Sequence, residues 1–370
     1  MRPRLSDSDI PSSYLPTLDG WRGVAILLVL FCHVHFSGNW SRLAQEYSAL
    51  AVDLFFAISG LLITDRMLQE HAQTGRISLR GFYIRRVFRI FPAAFLFLAA
   101  VSLLCWLGLV PASRVQLLSA ALFFRNYYYA VAPDGWFTGH FWSLSVEEHF
   151  YFFWPCLLIL MGVSRARRIT PWIAVAAAAW RTLDSRWHFV SAPSLINVLT
   201  RTDYCVDFLL WGCVAGLLLR RERAQMLLRR LIPAAWPAIG IVFLLLLVTF
   251  RPKGNIAAIA LLMPTFLLAT LLHQRSWLAR MLESLPMRSV GRMSYSLYLW
   301  QQLFLINGRT PTLGPLQSFP LNLVIPIALA WCSHTFLEEP LRRYGKKLAS
   351  RTNTDKTIET LPLGVAQTAD

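Results

Sequence analysis

Charged side chains are scarce in this chain of 370 residues: Asp, Glu, Lys and Arg make up 15% of it, against about 25% in soluble domains. Hydrophobic residues make up 55%, and the mean hydropathy is +0.46. This balance excludes a soluble enzyme, a disordered chain and a fibrous protein. Because a membrane-spanning helix uses about 20 mostly apolar residues, we predict an all-α, polytopic membrane helix bundle of about ten spans.

The sequence also lacks the patterns of a metal site. It contains six cysteines but no CxxC pair, and no spacing of cysteine and histidine resembles a zinc site. We therefore expect no metal. No loop between the apolar segments is long enough for a soluble catalytic domain, so we expect any chemistry to occur within the membrane or at its face.

Ten apolar segments are candidates for the spans. A further run, 115–124 (VQLLSAALFF), is too short to cross a bilayer and is predicted to be a re-entrant or interfacial piece. The candidate spans are 21–37, 50–64, 90–110, 141–163, 171–183, 204–219, 231–250, 256–273, 293–308 and 321–339.

Positive charge orients the predicted bundle. With ten spans and a cytoplasmic N-terminus, the inner segments hold 26 Lys and Arg residues and the outer segments hold 8. Such an excess marks cytoplasmic loops, so we predict that both termini are cytoplasmic. The net charge of +16 then belongs to the cytoplasmic face, and no nucleic-acid partner is expected. The predicted organisation is a cytoplasmic segment 1–20, a membrane domain 21–345 and a polar, disordered cytoplasmic tail 346–370.

Charged groups inside the first predicted span are the first functional candidates. A charge in the bilayer is costly, so such groups indicate function by default. Arg22 and His33 are eleven residues apart, which places them on one helical face about 16 Å apart along the axis. His35 points the other way. A neutral imidazole can take a proton from a hydroxyl, so we favour His33 as a general base, although a packing histidine is the simpler alternative.

Three arginines form a second patch in GFYIRRVFRIFPA, residues 81–93. Arg85 and Arg89 are four residues apart on one helical face, and Arg86 is beside them. Guanidinium groups fit phosphate oxygens bidentately, so these side chains and Arg22 are predicted to form an anion site below His33. Charge that merely sets topology is an equally good explanation of the patch.

Acidic residues in or beside the predicted spans are the third group of functional candidates. In GHFWSLSVEEHFYFFWP, residues 139–155, the side chains of Ser143, Glu147 and Tyr151 recur every four residues and share a helical face. A buried glutamate that pairs with a histidine would be useful in catalysis, while a purely structural Glu147 is nearly as plausible. Asp53 and Asp207 are further acids inside predicted spans.

These segments together resemble the acyltransferase-3 family of integral membrane O-acyltransferases. The similarity runs from about residue 15 to 345 and keeps the family's order of blocks. The first block also has the family's Arg-x10-His spacing. The matching blocks are DGWRGVAILLVLFCHVHF, DLFFAISGLLIT, FYIRRVFRIFPA, GHFWSLSVEEHFYFFWP, GRMSYSLYLW and FLEEPLRR.

The resemblance implies an acyltransferase of class EC 2.3.1.- in the bacterial cytoplasmic (inner) membrane. Its co-substrate would be acyl-CoA, most often acetyl-CoA. Its acceptor would be a hydroxyl of a sugar, a surface glycan, a lipid-linked sugar or another hydroxylated metabolite, such as a macrolide. The membrane domain 21–345 would then be a membrane acyltransferase domain, with membrane lipids as its surroundings.

The resemblance also implies roles for individual residues. His33 corresponds to the histidine regarded as catalytic in the family, and Arg22 to its arginine partner. Arg86 and Arg89 correspond to an RxxR feature linked to the acyl-CoA donor, and Arg85 is their neighbour. Glu147 corresponds to the glutamate of the WSLxxE block. The chain departs from many members at Gln301, where they have a histidine.

A proton-coupled membrane transporter of glycans or acyl groups is the alternative function. Ten spans with buried His, Arg and Asp groups fit a transporter too. Repeated pairs of broken helices in the two halves would favour it, and the sequence shows no convincing pair. A non-catalytic assembly subunit with the same fold is a third possibility. The sequence leaves open the acceptor, the acyl chain and a covalent acyl-histidine intermediate.

Overall fold

A computed structural model describes residues 14–34, 40–131, 135–187, 189, 200–250, 255–306 and 312–359. Over these residues the chain is helical and contains no β-strand, which confirms the predicted all-α class. Apolar runs interrupted by single charged groups favour helices here, because a helix satisfies its own backbone hydrogen bonds in an apolar medium.

Sixteen α-helices make up the described part of the chain. A 3-10 turn, Gly314–Gln317, precedes α15, and a π-helical turn, Ser333–Glu338, joins α15 to α16. The helices are α1 (Pro16–His33), α2 (Trp40–Thr74), α3 (Leu79–Trp106), α4 (Arg114–Ala121), α5 (Arg125–Val131), α6 (Trp136–Gly139), α7 (Phe141–Trp187), α8 (Thr202–Leu219), α9 (Glu222–Leu231), α10 (Trp236–Phe250), α11 (Asn255–Leu272), α12 (Trp277–Leu282), α13 (Leu285–Arg292), α14 (Ser294–Phe304), α15 (Leu321–Cys332) and α16 (Glu339–Glu359).

Five helical segments of the described chain are long and apolar enough to cross a membrane, and a sixth arises if α9 and α10, bent by 64°, count as one span. The predicted number of ten spans and the predicted orientation therefore stay predictions. Residues 115–124 hold only the eight-residue helix α4, too short to cross. The five segments are Tyr47–Thr74, Leu79–Trp106, Trp136–Trp187, Thr202–Leu219 and Leu321–Ser350.

Two predicted spans, 141–163 and 171–183, both lie in α7. They are separated at Gly162, whose φ of 68° and ψ of 155° interrupt the helical backbone. A side chain is strained at a positive φ, so glycine is the residue suited to this position. The break lets the second half of α7 take a different direction from the first.

Glycines allow α2 and α8, the most buried of the five candidate spans, to cross at close range. A Cβ atom at Gly60 would lie 2.0 Å from the carbonyl oxygen of Leu209, and one at Gly212 would lie 2.3 Å from that of Ala57. Gly216 follows Gly212 by four residues and also faces α2. Such a small-xxx-small pattern brings membrane helices into backbone contact.

Helix α1 lies between two hydrophobic cores. Leu18 and Trp21, near its start, belong to a core shared with α2, α7, α8 and α11. Ile26 and Val29, near its end, belong to a second core shared with α3 and α14. The polar groups of α1 are therefore held in the middle of the bundle.

The last helix, α16, extends beyond residue 345, where we predicted that the membrane domain ends. It continues to Glu359, so the first part of the predicted disordered tail is helical, and residues 360–370 lie outside the described residues. Packing explains the helix up to residue 350, because Gly345 lies against Phe88 of α3 and Ala349 is buried.

Candidate active site

A cavity of about 320 Å³ opens among α1, α2, α3, α13 and α16. We call it the basic cavity. Seven Lys and Arg side chains and three carboxylates line it, which leaves a formal excess of four positive charges when His334 is neutral. The carboxylates are Asp19, Asp65 and Glu338. The cationic residues are Arg22, Arg66, Arg89, Arg288, Arg292, Arg342 and Lys346.

Three of these arginines have no ion pair within the described residues. No carboxylate oxygen there lies within 4 Å of the guanidinium nitrogens of Arg22, Arg66 or Arg89. Arg22 repels both Arg66 and Arg89, while the more distant Asp19 and Asp65 partly offset the charge of Arg66. Arg22 and Arg89 are half-buried and Arg66 is exposed. Because a counter-ion would relieve the repulsion between such like charges, this cluster is a candidate anion site. We call it the arginine triad.

A second, smaller cavity of about 60 Å³ adjoins the first. We call it the inner cavity. Arg22, Arg89 and Tyr295 line both cavities, so two members of the arginine triad lie between them, while Arg66 lines only the basic cavity. Ser143 and Tyr298 line the inner cavity as well, and their hydroxyl oxygens are 2.7 Å apart.

Glu147 contacts an arginine and not the predicted histidine. Its Oε2 lies 3.7 Å from Arg86, and its Oε1 accepts a hydrogen bond of 2.7 Å from the Ser59 hydroxyl. Arg86 also lies 3.4 Å from Glu148 and 3.3 Å above the ring of Tyr151. The hypothesis that Glu147 orients His33 is thus not supported, because its oxygens are committed to α2 and α3.

The shared face of α7 is confirmed by these contacts. Ser143, Glu147 and Tyr151 all line the inner cavity, as their four-residue spacing predicts. Glu147 and Tyr151 together hold Arg86, so this face fixes the wall of the inner cavity.

The three arginines of α3 have three different surroundings. Arg85 pairs with Glu70 at 3.1 Å, its side chain is 37% exposed, and it lines neither cavity. Arg86 lies near Glu147 and Glu148, as noted above. Arg89 has no ion pair among the residues that the structure describes. Arg85 is separated from Arg89 because it lies one turn nearer the start of α3, where Glu70 near the end of α2 reaches it.

His33 is the last residue of α1 and is half-buried. Its Nδ1 lies 2.8 Å from the carbonyl oxygen of Val29. A carbonyl oxygen only accepts, so Nδ1 carries the proton and Nε2 keeps its lone pair, the form that a general base requires. The ring centre lies 5.8 Å from that of Trp136. His35 lies outside the described residues.

Arg22 and His33 share one unbroken helix, as predicted, about 16 Å apart along its axis. Only Arg22 lines the two cavities, and His33 lies beyond the inner cavity. Arg22 and Arg89 therefore share the inner cavity with the Ser143 and Tyr298 hydroxyls, whereas the His33 imidazole lines neither cavity.

One buried acid that the sequence singles out, Asp207, forms an ion pair away from the two cavities. Asp207 of α8 pairs with Arg181 of α7 at 2.7 Å, and both side chains are buried. Arg181 also donates a hydrogen bond of 3.0 Å to the carbonyl oxygen of Tyr204. Neither residue lines the basic or the inner cavity, so this pair ties α7 to α8 away from the site.

Sequence reasoning missed several residues of the basic cavity. Arg66 follows the predicted second span directly, and Arg342 and Lys346 follow the last one, so they were counted only as cytoplasmic charge. Arg288 and Arg292 recur at four residues on α13, which was a usable signal of a shared face. Glu338 enters the cavity from the π-helical turn, where it accepts hydrogen bonds from Ser296 and Ser333.

Comparison with known proteins assigns the family. A model described as an acyltransferase domain, that of acyltransferase family 3, matches residues 15–333. The chain belongs to the acyltransferase-3 family. Relatives of this family member include the peptidoglycan O-acetyltransferase OatA of Listeria monocytogenes, which is 26% identical over 90% of this chain and 56% of that protein. The O-acetyltransferase OatA of Staphylococcus aureus is 28% identical over 90% of this chain and 58% of that protein.

The chain thus spans a little under three fifths of the length of these relatives. No solved structure matches it significantly. All the site residues discussed above lie within the matched residues except His334, Glu338, Arg342 and Lys346, which follow residue 333.

Proposed function

We propose that this protein is a membrane O-acyltransferase that moves an acyl group, in the first instance acetyl, from cytoplasmic acyl-CoA to a hydroxyl of a surface glycan. The observation that carries the proposal is the arginine triad, which lines the basic cavity and shares two of its members with the inner cavity. Family membership and the O-acetyltransferase names of its relatives support the reaction type. The bacterial cytoplasmic membrane is the proposed location, with the basic cavity on its inner side.

The donor fits the basic cavity by charge. CoA carries a phosphomonoester of about −1.5 to −2 at pH 7 and a pyrophosphate of about −2. The lining residues leave a formal excess of four positive charges, which matches this total. A volume of about 320 Å³ lies within the ordinary range of ligand pockets. Arg22, Arg66 and Arg89 would bind the phosphates, and Arg86 would line the path of the pantetheine arm.

The reaction would take place between the inner cavity and His33. The acceptor hydroxyl loses its proton to Nε2 of His33, and its oxygen attacks the thioester carbonyl carbon. The carbon–sulfur bond then breaks, and the CoA thiolate takes the proton back from the His33 imidazolium. Because His33 lies beyond the inner cavity, the acyl group must pass Tyr298 and Ser143 to reach it.

The test uses the full chain purified in nanodiscs with labelled acetyl-CoA and glycan fragments as acceptors. The wild type is expected to form a labelled ester. We expect His33→Ala to lose about 10²- to 10⁴-fold in ester formation, the usual contribution of a general base, and to bind acetyl-CoA as the wild type does. Normal ester formation by that variant at equal protein level would refute the assignment of His33.

The same assay addresses the transporter alternative, which family membership does not favour. A transporter would move labelled substrate across the bilayer of a vesicle without forming an ester. An acyltransferase forms an ester even in nanodiscs, where no second compartment exists. Vesicle uptake without ester formation would therefore overturn the proposal.

A further inference from the structure

His140, between α6 and α7, is a buried histidine that the reaction as described does not use. Its relative exposure is 6%. Within the described part of the chain, neither Nδ1 nor Nε2 has a hydrogen-bond partner. A neutral imidazole has one donor and one acceptor, and burying both without partners costs free energy. A buried polar group without a hydrogen-bond partner in a folded protein calls for an explanation. One explanation is a ligand that forms the missing hydrogen bond when it binds.

Aromatic side chains surround this ring and hold it. Its centre lies 5.1 Å from that of Phe97 and 5.4 Å from that of Tyr298, both edge-on. Phe141 is 5.0 Å away, and Trp300 packs against Phe97. Among the described residues no carboxylate pairs with His140, so an uncharged imidazole suits these surroundings.

The His140 side chain lines neither cavity, but its backbone lies beside the inner cavity and a neighbouring residue contacts His33. The hydroxyls of Tyr298 and Ser143, which line that cavity, donate hydrogen bonds of 3.1 and 3.2 Å to the backbone carbonyl oxygen of His140. Trp136, one helical turn before His140, contacts the ring of His33.

We propose that His140 is a catalytic residue whose imidazole N–H donates a hydrogen bond to the carbonyl oxygen of the acyl thioester. This inference rests on the proposed acyl transfer. When the acceptor oxygen attacks the carbonyl carbon, the π electrons move to the carbonyl oxygen, and the acceptor proton moves to His33. The His140 N–H then faces an oxyanion, which it stabilises until the carbon–sulfur bond breaks.

An uncharged N–H donor that is fixed in position suits the stabilisation of an oxyanion. A preorganised N–H aimed at the developing charge needs no rearrangement during the reaction, and aromatic packing fixes the His140 ring. The two histidines also have different roles, because His33 accepts a proton at Nε2 whereas His140 keeps its N–H proton.

The decisive variant is His140→Phe. Phenylalanine fills the same aromatic surroundings and removes the unsatisfied donor and acceptor, so we expect a melting temperature equal to or above that of the wild type. We expect kcat for ester formation to fall about 10²- to 10³-fold, as when an oxyanion-hole donor is lost, with unchanged acetyl-CoA affinity. His140→Gln keeps an N–H donor and is expected to recover at least tenfold over His140→Phe.

His149→Phe, nine residues further along the chain in α7, is the matched control. Its Nδ1 lies 2.8 Å from the Thr202 hydroxyl and its ring stacks on Tyr127, away from both cavities. We expect it to keep kcat within twofold.

Full kcat in His140→Phe, or equal kcat in His140→Phe and His140→Gln, would overturn the inference and leave the proposed function standing. If the wild type itself formed no ester, both would fall. Should His140→Phe not fold, the comparison of His140→Gln with His140→Ala decides in the same way.

Discussion

Replacing Arg89 with glutamine tests the arginine triad most directly. Arg89 lines both cavities and has no ion pair within the described residues. A hydrogen bond to a charged group contributes about 1.5–3 kcal/mol, and 1.4 kcal/mol corresponds to a tenfold change in Kd. We therefore expect Arg89→Gln to weaken acetyl-CoA binding roughly 10- to 150-fold.

The same substitution is expected to raise the stability of the ligand-free protein. Arg22, Arg66 and Arg86 all repel the charge of Arg89. Removing one of these positive charges relieves the repulsion, so the melting temperature without donor should increase while donor affinity falls. Substitution of a residue that only stabilises the fold would lower both the melting temperature and the affinity for the donor.

The assay is titration calorimetry in nanodiscs with acetyl-CoA and with acetyl-pantetheine, which lacks the phosphates. Arg89→Gln should weaken the binding of acetyl-CoA and leave the binding of acetyl-pantetheine unchanged. Arg85→Gln is the control, because Arg85 pairs with Glu70 outside both cavities. Equal weakening of the two ligands, or wild-type affinity for acetyl-CoA, would refute the role of the triad.

Two further predictions concern the scaffold. Gly291→Ala should lower both the melting temperature and the affinity for acetyl-CoA. The new Cβ atom would lie 1.7 Å from the carbonyl oxygen of Asp19 and would push α1, with Arg22, away from α13. An unchanged melting temperature would contradict this prediction. Arg181→Met should lower the free energy of unfolding by about 3–5 kcal/mol, since it leaves Asp207 buried and unpaired. The double variant Arg181→Met/Asp207→Leu should regain most of that loss in denaturant unfolding.

Periodicity within one helix was enough to predict part of the site. Arg22 and His33 share one helix, and the spacing of Ser143, Glu147 and Tyr151 places them along one cavity wall. Local geometry alone determines such relations, because residues a whole number of turns apart lie on one face.

Relations between helices could not be predicted in that way. The sequence did not indicate that Arg86 would pair with Glu147, that Glu70 would reach Arg85, or that Arg66 would complete the triad. Each depends on how α2, α3 and α7 pack, which helical periodicity does not encode. Hydropathy predicted separate spans 141–163 and 171–183, close to the break at Gly162, but it did not indicate that the helix resumes directly after that residue.

Pairing separates structural arginines from those suited to a ligand. Arg86, Arg181, Arg201 and Arg220 each have a carboxylate within 4 Å, whereas the triad has none in the described chain. The triad would hold phosphates that acetyl-CoA and CoA share, so it binds substrate and product alike and cannot by itself accelerate the reaction. Rate must come from groups that respond to the changing carbonyl and hydroxyl, which directs attention to His33 and His140, whose rings contact Trp136 and Tyr298, respectively.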